Sequence, residues 1–216
     1  MSDQDSHHLS RVLRLRPNQI VTVADGSGYW QKCSYVKEGI LEPLQDPILD
    51  PGPNWDIKIA FALTKGNKAE LVIQKLCELG VDEAIPFVSR NSIPKWDLKR
   101  EKKALERLEK IAKEASMQSR RSRIMKVHPV SDFEYLCQKG IHSGKMAMAD
   151  PRGKPLTKAF PTVLIGPEGG WAIEEINSKL PKVCIGGQIM RAETAAITAG
   201  GLLCAIREGI VRGVDE

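Results

Sequence analysis

From residue 57 onward, strand-like apolar stretches alternate with segments of helical spacing, and this alternation constrains the fold more than any other feature of the chain. Ile57, Ile59, Phe61 and Leu63 alternate with smaller or polar residues, which is typical of a buried strand. The next segment places apolar residues three and four positions apart, as one face of a helix requires. Because repeated strand–helix alternation is typical of a mostly parallel sheet covered by helices, we predict an α/β domain over residues 56–216.

The same periodicities predict the elements of this domain. We expect strands at residues 57–63, 84–88, 145–149, 162–165 and 183–185, and helices at residues 68–79, 97–119, 173–180 and 192–211. The side chain of Asn67 is expected to cap the first helix, and Gly80 to end it in the left-handed conformation.

Residues 1–50 predict a small β domain. Two strands are expected, at residues 20–23 and 29–36, with Asp25-Gly-Ser-Gly as the turn between them. Four of the thirteen prolines then fall at positions 43, 47, 51 and 53. Proline lacks the N–H that a β-ladder or a helix interior needs, so we interpret residues 42–56 as a linker.

Composition excludes several classes of protein. With 42% hydrophobic and 27% charged residues, the chain is typical of a folded globular protein and not of a disordered or fibrous one. No apolar run approaches the roughly 18 residues of a membrane span, and the first residues lack a signal peptide's apolar segment, so we expect a cytoplasmic protein. The five cysteines are dispersed and none is grouped with histidine at metal-ligand spacing, so we expect neither disulfides nor a zinc site.

Positive charge is concentrated in the middle of the chain. The net charge is −2 for residues 1–55, +7 for residues 56–130 and 0 for residues 131–216. Between Arg90 and Lys126, thirteen basic side chains face five acidic ones, and the densest cluster is Arg120, Arg121 and Arg123. This stretch favours contact with a polyanion such as RNA. A solvated helix face of mixed charge explains the same composition, and charge alone does not decide between the two interpretations.

Two glycine-rich loops follow predicted strands of the α/β domain. We name residues 166–171, Gly166-Pro-Glu-Gly-Gly-Trp171, the first glycine loop, and residues 185–191, with Gly186 and Gly187, the second glycine loop. Ligands of parallel sheets bind at the carboxyl ends of strands, and glycines let backbone N–H and C=O groups approach a flat purine edge. We expect the two strands to be neighbours, so that both loops serve one site. Tight turns without a ligand are the alternative, and Trp171 can serve the core or stack on a ligand.

Neither loop matches Gly-x-Gly-x-x-Gly, and the chain contains no phosphate-binding P-loop, which argues against dinucleotide and triphosphate binding of the usual kinds.

Arg191 and Glu193 flank the start of the last helix, where a helix N-terminus favours anions and a guanidinium can hold a planar polar group. A surface ion pair between them is the alternative. His7 and His8 precede several arginines and are candidates for contact with RNA; a tag remnant or plain solvation is the alternative. No third ligand is nearby, which argues against a metal.

These motifs together resemble a known family. Ile165-Gly-Pro-Glu-Gly-Gly-Trp171 and Ile189-Met-Arg-Ala-Glu-Thr-Ala195 are similar to the two signature loops of the ribosomal RNA small subunit methyltransferase E family, a branch of the SPOUT superfamily. The further matches, in the order of that family, are His8 with Val12-Leu-Arg14, Gln74-Lys75 with Glu78-Leu-Gly-Val81, and Glu114-Ala115 with Gln118-Ser-Arg120. The resemblance runs from His8 to the C-terminus.

The resemblance implies an S-adenosylmethionine-dependent enzyme that methylates N3 of a uridine in 16S ribosomal RNA. It implies a PUA-like β-barrel for RNA over residues 1–50, a SPOUT-type α/β domain with a deep trefoil knot over residues 56–216, and a homodimer without a metal. Members of the family carry a longer segment before the equivalent of His8, so we expect a barrel that lacks its first strand. Ala172 stands where serine or threonine is common, and Met190 replaces the usual leucine.

Site residues also follow from the resemblance. Those expected to hold the cofactor are Ile165, Gly166, Pro167, Glu168, Gly169, Gly170, Ile185, Gly186, Ile189, Met190, Arg191 and Thr194. Those expected to contact RNA are His8, Arg11, Arg14, Lys75, Arg90, Gln118, Arg120 and Arg121, with Arg123 as a further candidate.

The expected catalytic residues are Arg191 and Glu193. Arg191 would stabilise the charge that develops on uracil as N3 loses its proton, and Glu193 would orient Arg191 or take the proton. A ribose 2′-O-methyltransferase of the same superfamily and a non-catalytic RNA-binding protein are the alternative functions.

Overall fold

The chain folds into two compact units. The computed structural model describes residues 3–64, 66–92 and 98–211. Residues 3–52 and 120–124 form the N-terminal unit, and the other described residues form the C-terminal unit. The chain therefore returns to the N-terminal unit for five residues in the middle of the sequence. None of the helices in the described ranges is long and apolar enough to cross a membrane.

The N-terminal unit is built on an antiparallel sheet. It contains helix α1 (Asp3–His7), a π-helical turn (His8–Val12) and strands β1 (Ile20–Ala24), β2 (Tyr29–Lys37), β3 (Ile40–Pro43) and β4 (Ile48–Leu49). β2 lies between β1 and β3 and also pairs with β4. Asp25 closes the predicted turn between β1 and β2 by accepting hydrogen bonds from the backbone N–H groups of Ser27 and Tyr29, at 2.7 and 3.1 Å.

The proline-rich segment is more than a linker. The interpretation of residues 42–56 as free of strand is wrong at two places. Glu42 and Pro43 pair with β2 as the end of β3, and Ile48 and Leu49 pair as β4 with the first two residues of β2. Both residues of β4 keep the N–H groups that the flanking prolines lack, so they can add a short edge to the sheet.

Arg123 anchors the returning segment within the N-terminal unit. Its guanidinium donates hydrogen bonds to the carbonyl oxygens of Ser27 and Asp50, both at 2.6 Å. The Ser122 hydroxyl donates to the Asp50 carboxylate, and this bond lowers the pKa of Asp50. A Cβ on Gly28 would lie 2.5 Å from the guanidinium, so glycine leaves the room that Arg123 occupies. Arg123 therefore contributes to the fold of this unit, and a phosphate contact through it stays a prediction.

The C-terminal unit is a parallel sheet of seven strands with helices between them. Its elements are β5 (Lys58–Ala62), α2 (Lys68–Leu79), β6 (Glu83–Val88), α3 (Leu98–Gln118), β7 (Lys126–Val127), β8 (Ser131–Asp132), α4 (Phe133–Ser143), β9 (Met146–Pro155), β10 (Thr162–Ile165), α5 (Ile173–Ile176), β11 (Lys182–Cys184) and α6 (Ala192–Arg207). The strand order is β11-β9-β10-β5-β6-β7, and β8 also pairs with β6. Every pairing is parallel, which confirms the predicted α/β fold class.

Alternate residues of β5 face opposite sides of the sheet, and each side has its own core. Ile59 and Phe61 pack into the larger apolar cluster with residues of α2, α3 and α6. Ala60 and Ala62 pack into the smaller cluster with residues of α4 and with Phe87. Burial on both faces explains why this strand is apolar at almost every position.

β9 is longer than predicted because its second half pairs with β11. The pattern predicted a strand at residues 145–149, but the strand continues to Pro155, and Lys154 and Pro155 align with Val183 and Cys184. A Cβ on Gly153 would lie 2.5 Å from the backbone nitrogen of Val183, so only glycine permits this approach.

The ends of two helices depend on packing that periodicity does not show. α5 ends at Ile176 rather than at residue 180, because Leu180 has left the helix and fills the core at 2% exposure. α6 ends at Arg207 rather than at residue 211, and Gly209 takes a positive φ of 70° just beyond it.

The boundaries of α2 and α3 are close to those predicted. Gly80 ends α2 in the left-handed conformation, as predicted. Asn67 occupies the N-cap position but its side chain accepts no capping hydrogen bond, so that part of the prediction is wrong. α3 begins at Leu98 in the structure, and its predicted first residue, Asp97, lies outside the described residues.

Gly200 and Gly201 test how closely α6 packs against α2. A Cβ on Gly200 would lie 2.6 Å from Leu76 Cδ2, whereas a Cβ on Gly201 would lie at an ordinary contact distance of 3.8 Å from Leu79 Cδ1. We expect Gly200→Ala to lower the free energy of unfolding by about 1–3 kcal/mol, because overpacking forces buried neighbours to move. Gly201→Ala should raise it by up to about 1 kcal/mol, because alanine is the better helix former. Urea unfolding of both variants measures this difference, and equal effects would contradict the packing argument.

Candidate functional site

Both glycine loops lie at the carboxyl edge of the parallel sheet. The first glycine loop follows β10, and the second follows β11 and leads into α6. The prediction that these two strands are neighbours is wrong, because β9 lies between them and pairs with both. The loops still share one edge because all the strands run in the same direction.

The first glycine loop is held against the sheet by Trp171 and leaves room at Gly169. The ring of Trp171 stacks on Phe87 with centroids 6.1 Å apart, and its Nε1–H donates to the carbonyl of Ala149 at 3.0 Å. Of the two roles left open for Trp171, the structure therefore supports packing against the core. A Cβ on Gly169 would have no neighbour closer than Asn91 Cβ at 3.6 Å, so Gly169 borders open space.

The second glycine loop offers backbone donors and an exposed apolar side chain. Among the described residues, no N–H group from 186 to 190 donates to a backbone carbonyl. A Cβ on Gly187 would meet nothing within 4 Å, and Ile189 is 92% exposed. Available N–H groups beside an apolar side chain suit a flat purine, which has acceptor nitrogens at its edge and apolar faces.

The expected cofactor-binding residues differ in exposure. Ile165 and Pro167 are buried, so only their backbone groups can face a ligand. The half-buried members are Gly166, Ile185, Gly186 and Met190, and the exposed members are Glu168, Gly169, Gly170, Ile189, Arg191 and Thr194. Contact of any of these residues with a cofactor stays a prediction.

Lys68 connects the first glycine loop to the first turn of α6, which follows the second glycine loop. Its Nζ forms a salt bridge with Glu168 of the first glycine loop and lies 3.5 Å from Glu193 Oε1 in the first turn of α6. The hydrogen bond to Glu168, together with the charge of Glu193, raises the pKa of Lys68. Lys68 is not among the residues predicted from sequence, because its partners are distant along the chain. The one available signal was its place in the first turn of the helix that follows β5.

Arg191 and Glu193 are close in sequence but do not pair. Arg191 is the N-cap residue of α6, has an extended backbone and exposes its side chain. Glu193 is 12% exposed and faces Lys68, so the surface ion pair considered as an alternative is not formed in the described structure. Its Oε2 is buried without a hydrogen-bond partner among the described residues. Because a buried acceptor without a donor is costly, this oxygen is placed to receive a donor from a ligand or from a side chain that moves.

Five candidate RNA contacts belong to the N-terminal unit. Arg11, Arg14 and Arg120 are exposed, and Arg121 is half-buried. Arg14 and Arg120 have positive φ angles of 50° and 56°. His8 lies in the π-helical turn, and its side chain lies outside the described part of the chain.

The other three candidates belong to the C-terminal unit. The side chain of Arg90 is 59% exposed and lies 4.0 Å from Glu174. Lys75 and Gln118 line a groove of about 800 Å³ between α2 and α3. Three glutamates line the same groove, and one of them, Glu78, pairs with Lys75 at 2.7 Å. The other two, Glu70 and Glu114, pair with Arg107 and Lys110, so RNA contact by Lys75 or Gln118 stays a prediction.

Within residues 3–64, 66–92 and 98–211, no group of three or more histidine, cysteine, aspartate or glutamate side chains could hold a metal ion. All five cysteines are free thiols.

Two family profiles match the chain. The profile of an RNA methyltransferase domain matches residues 51–204, which include both glycine loops. The profile of an RNA methyltransferase PUA domain matches residues 2–39, which include β1 and β2.

Similarity to curated proteins extends over most of the chain. The chain is 30% identical to ribosomal RNA small subunit methyltransferase E of Bacillus subtilis, over 92% of this chain and 86% of the relative. It is 28% identical to the protein of the same name from Rickettsia conorii, over 92% and 85%.

A solved structure is similar as well. The crystal structure of a ribosomal RNA small subunit methyltransferase E from Neisseria gonorrhoeae, bound to S-adenosyl methionine, is 26% identical in sequence. The match has a TM-score of 0.81 and covers 96% of this chain and 90% of that one.

Proposed function

The chain belongs to the ribosomal RNA small subunit methyltransferase E family, and we propose that it transfers a methyl group from S-adenosylmethionine to N3 of a uridine in 16S ribosomal RNA. The observation that carries this proposal is the pair of glycine loops at one edge of a parallel sheet, with Arg191 and Glu193 directly at the end of the second loop. Bound S-adenosyl methionine in the Neisseria gonorrhoeae structure supports the choice of cofactor.

The loop residues fit this cofactor. Open space at Gly169 and Gly187 lets a ligand approach the backbone, and the N–H groups of residues 186–190 can serve as donors to it. S-adenosylmethionine supplies a methyl group that its sulfonium has already activated. We infer that backbone groups of both loops hold it, and that Lys68 keeps the loops together through Glu168 and Glu193.

Arg191 is the residue that we infer to stabilise the reacting base. The uracil N3–H is a weak acid, and the nitrogen becomes a good nucleophile only as an anion whose charge spreads onto O2 and O4. The guanidinium offers several N–H donors in a planar fork, and the N-terminus of α6 adds a positive partial charge beside it. Donors that are in place before the reaction stabilise developing charge without a cost in reorganisation.

Glu193 has two candidate roles, to orient Arg191 or to accept the N3 proton. Lys68 Nζ lies 3.5 Å from its Oε1, so this oxygen is already paired with a cation. This contact favours the orienting role. In either role the buried Oε2, which has no partner among the described residues, is the atom that would act.

We also propose the finer architecture of the family for this chain. β10 and β11 lie on opposite sides of β9, and the chain between them is where a trefoil knot would form. The antiparallel sheet and the PUA profile support a barrel-like N-terminal unit. A homodimer is proposed as well, and sedimentation equilibrium of the purified chain tests it.

We also propose a cytoplasmic location, which a ribosomal RNA substrate supports.

The position of the methyl group decides between the proposed activity and its alternatives. Small subunits that lack the modification are incubated with the protein and S-adenosylmethionine, and the RNA is then copied by reverse transcriptase. An N3-methyl group blocks base pairing and therefore stops reverse transcriptase at one uridine. A ribose 2′-O-methyl product would leave pairing intact, and the absence of any transferred methyl would favour the RNA-binding alternative.

Arg120 and Arg121 test the proposed RNA surface. When a phosphate contact is lost, RNA binding releases fewer counterions. We therefore expect the slope of log affinity against log salt concentration to flatten by about 0.7 to 0.9 per arginine replaced by alanine. Titration of small-subunit RNA at several salt concentrations measures this slope. Replacement of Lys145 and Lys179, exposed lysines outside the basic stretch, provides the matched control. An unchanged slope for Arg120→Ala/Arg121→Ala would make these arginines solvated surface residues.

A further inference from the structure

Glu175 is a buried carboxylate with a complete set of hydrogen-bond donors. It lies in α5, directly after the first glycine loop, and is 1% exposed. Its Oε2 accepts hydrogen bonds from the Ser89 hydroxyl and from the Ala172 backbone N–H, both at 2.9 Å. Its Oε1 accepts a third from the backbone N–H of Arg90 at 3.0 Å. One side chain thus joins the end of the first glycine loop to the segment that follows β6.

Further contacts join the same two segments. The Asn91 side-chain amide donates to the carbonyl of Gly170 at 3.0 Å. Phe87, near the end of β6, stacks on Trp171 of the first glycine loop. Residues 89–92, which we name the Arg90 segment, form a tight turn, because the backbone N–H of Ser92 donates to the carbonyl of Ser89 at 2.9 Å. The first glycine loop and the Arg90 segment therefore form one connected structure.

Glu175 takes part in three of these contacts. A buried carboxylate is costly unless donors surround it, and hydrogen bonds to a charged acceptor are worth more than those to a neutral one. Glu175 is the third residue of α5, and its carboxylate reaches back to accept from the backbone N–H of the N-cap residue Ala172. Loss of these three hydrogen bonds would weaken the connection between the first glycine loop and the Arg90 segment.

We propose that Glu175 is a positioning residue that sets the first glycine loop for the cofactor and the backbone of Arg90 for RNA. The inference rests on the proposed function, since it assigns the loop to S-adenosylmethionine and Arg90 to ribosomal RNA. Glu175 itself faces Ser89, Arg90 and Ala172 and acts through them.

The test compares Glu175→Gln with Glu174→Gln. Both variants remove one carboxylate charge from α5, but Glu174 is exposed. The glutamine amide is nearly isosteric with the carboxylate and turns one acceptor into a donor that faces an N–H or O–H group. We expect the Kd for S-adenosylmethionine, measured by calorimetry, to rise roughly tenfold to a hundredfold in Glu175→Gln. Glu174→Gln should leave this Kd unchanged, and turnover at saturating cofactor should fall much less than affinity.

Ser89→Ala provides a second variant if Glu175→Gln folds poorly. It removes one hydrogen-bond donor to the carboxylate, so it should also raise the Kd for S-adenosylmethionine, by a smaller factor than Glu175→Gln does. If Ser89 acts through Glu175, the double variant binds no more weakly than Glu175→Gln alone, since residues of one network are not additive.

The outcomes separate this inference from the proposed function. No cofactor binding by the unaltered protein would defeat the proposed function itself. Cofactor binding by the unaltered protein, with the same Kd in folded Glu175→Gln and Ser89→Ala, would overturn the positioning role. A lower melting temperature with an unchanged Kd would reduce Glu175 to a stabilising residue and overturn the proposal as well.

Discussion

Arg191→Ala lowers kcat by about 10²–10³-fold and changes the affinity for S-adenosylmethionine only slightly, if the guanidinium acts on the charge that develops on uracil. The expected loss is in turnover because the interaction is made in the transition state and not with the bound cofactor. Arg191 is exposed at the N-cap of α6 and has no partner among the described residues that would lose packing, so the variant should fold normally. Steady-state kinetics with small-subunit RNA and calorimetry with the cofactor measure the two quantities separately.

Two further variants sharpen this result. Arg191→Lys keeps the charge but loses the planar fork, so it should recover only part of the lost turnover. Arg107→Ala, which removes an exposed arginine from α3, should leave kcat unchanged. If Arg191→Ala weakens cofactor binding and keeps its turnover at saturation, Arg191 is a binding residue and not the stabiliser of the base.

Gly169→Val abolishes S-adenosylmethionine binding without unfolding the protein. The nearest atom to a Cβ at Gly169 is Asn91 Cβ at 3.6 Å, which is an ordinary contact, so the chain itself tolerates a side chain there. The same side chain would fill the space that we assign to the cofactor beside the first glycine loop. Calorimetry gives the affinity, and circular dichroism with a thermal melt shows whether the fold is kept.

Gly169 differs from the other two glycines of the first glycine loop, because a side chain there would disturb neither the packing nor the backbone. A Cβ on Gly166 would lie 2.9 Å from the ring of Trp171, and Gly170 has a positive φ of 73°, so substitution of either would disturb the fold as well as the site. Gly201→Ala, in the middle of α6 and away from both loops, is the control that should bind the cofactor normally. An unchanged affinity in folded Gly169→Val would place the cofactor elsewhere.

The sequence was sufficient for the fold class and for the position of the two loops along the chain. Both depend on information that is local. Periodicity reports which face of a strand or helix is buried, and Ile59 to Ala62 are all apolar because β5 is covered on both sides. The glycine loops were recognisable because their composition is unusual over a few residues, and their similarity to one family supplied a function that periodicity cannot supply.

Element ends and strand neighbours were less predictable. The α5 helix stops at Ile176 because Leu180 is needed in the core, and β9 runs on to Pro155 because β11 is there to pair with it. β9 also lies between the two strands that were expected to be adjacent. These features depend on partners elsewhere in the chain, which a local pattern does not contain.

Only the tertiary structure identified the groups that hold the site together. Lys68 meets Glu168 and Glu193, and Glu175 meets the backbone of Arg90, across separations of many tens of residues. Arg123 looked like a phosphate contact in sequence, and its bond to the carbonyl of Asp50 makes it part of the N-terminal unit. The sequence around a charged residue looks the same whether its side chain is solvated or buried. What decides its role is which donors and acceptors the fold places around it, because burial of a charge is tolerated only where those partners meet it.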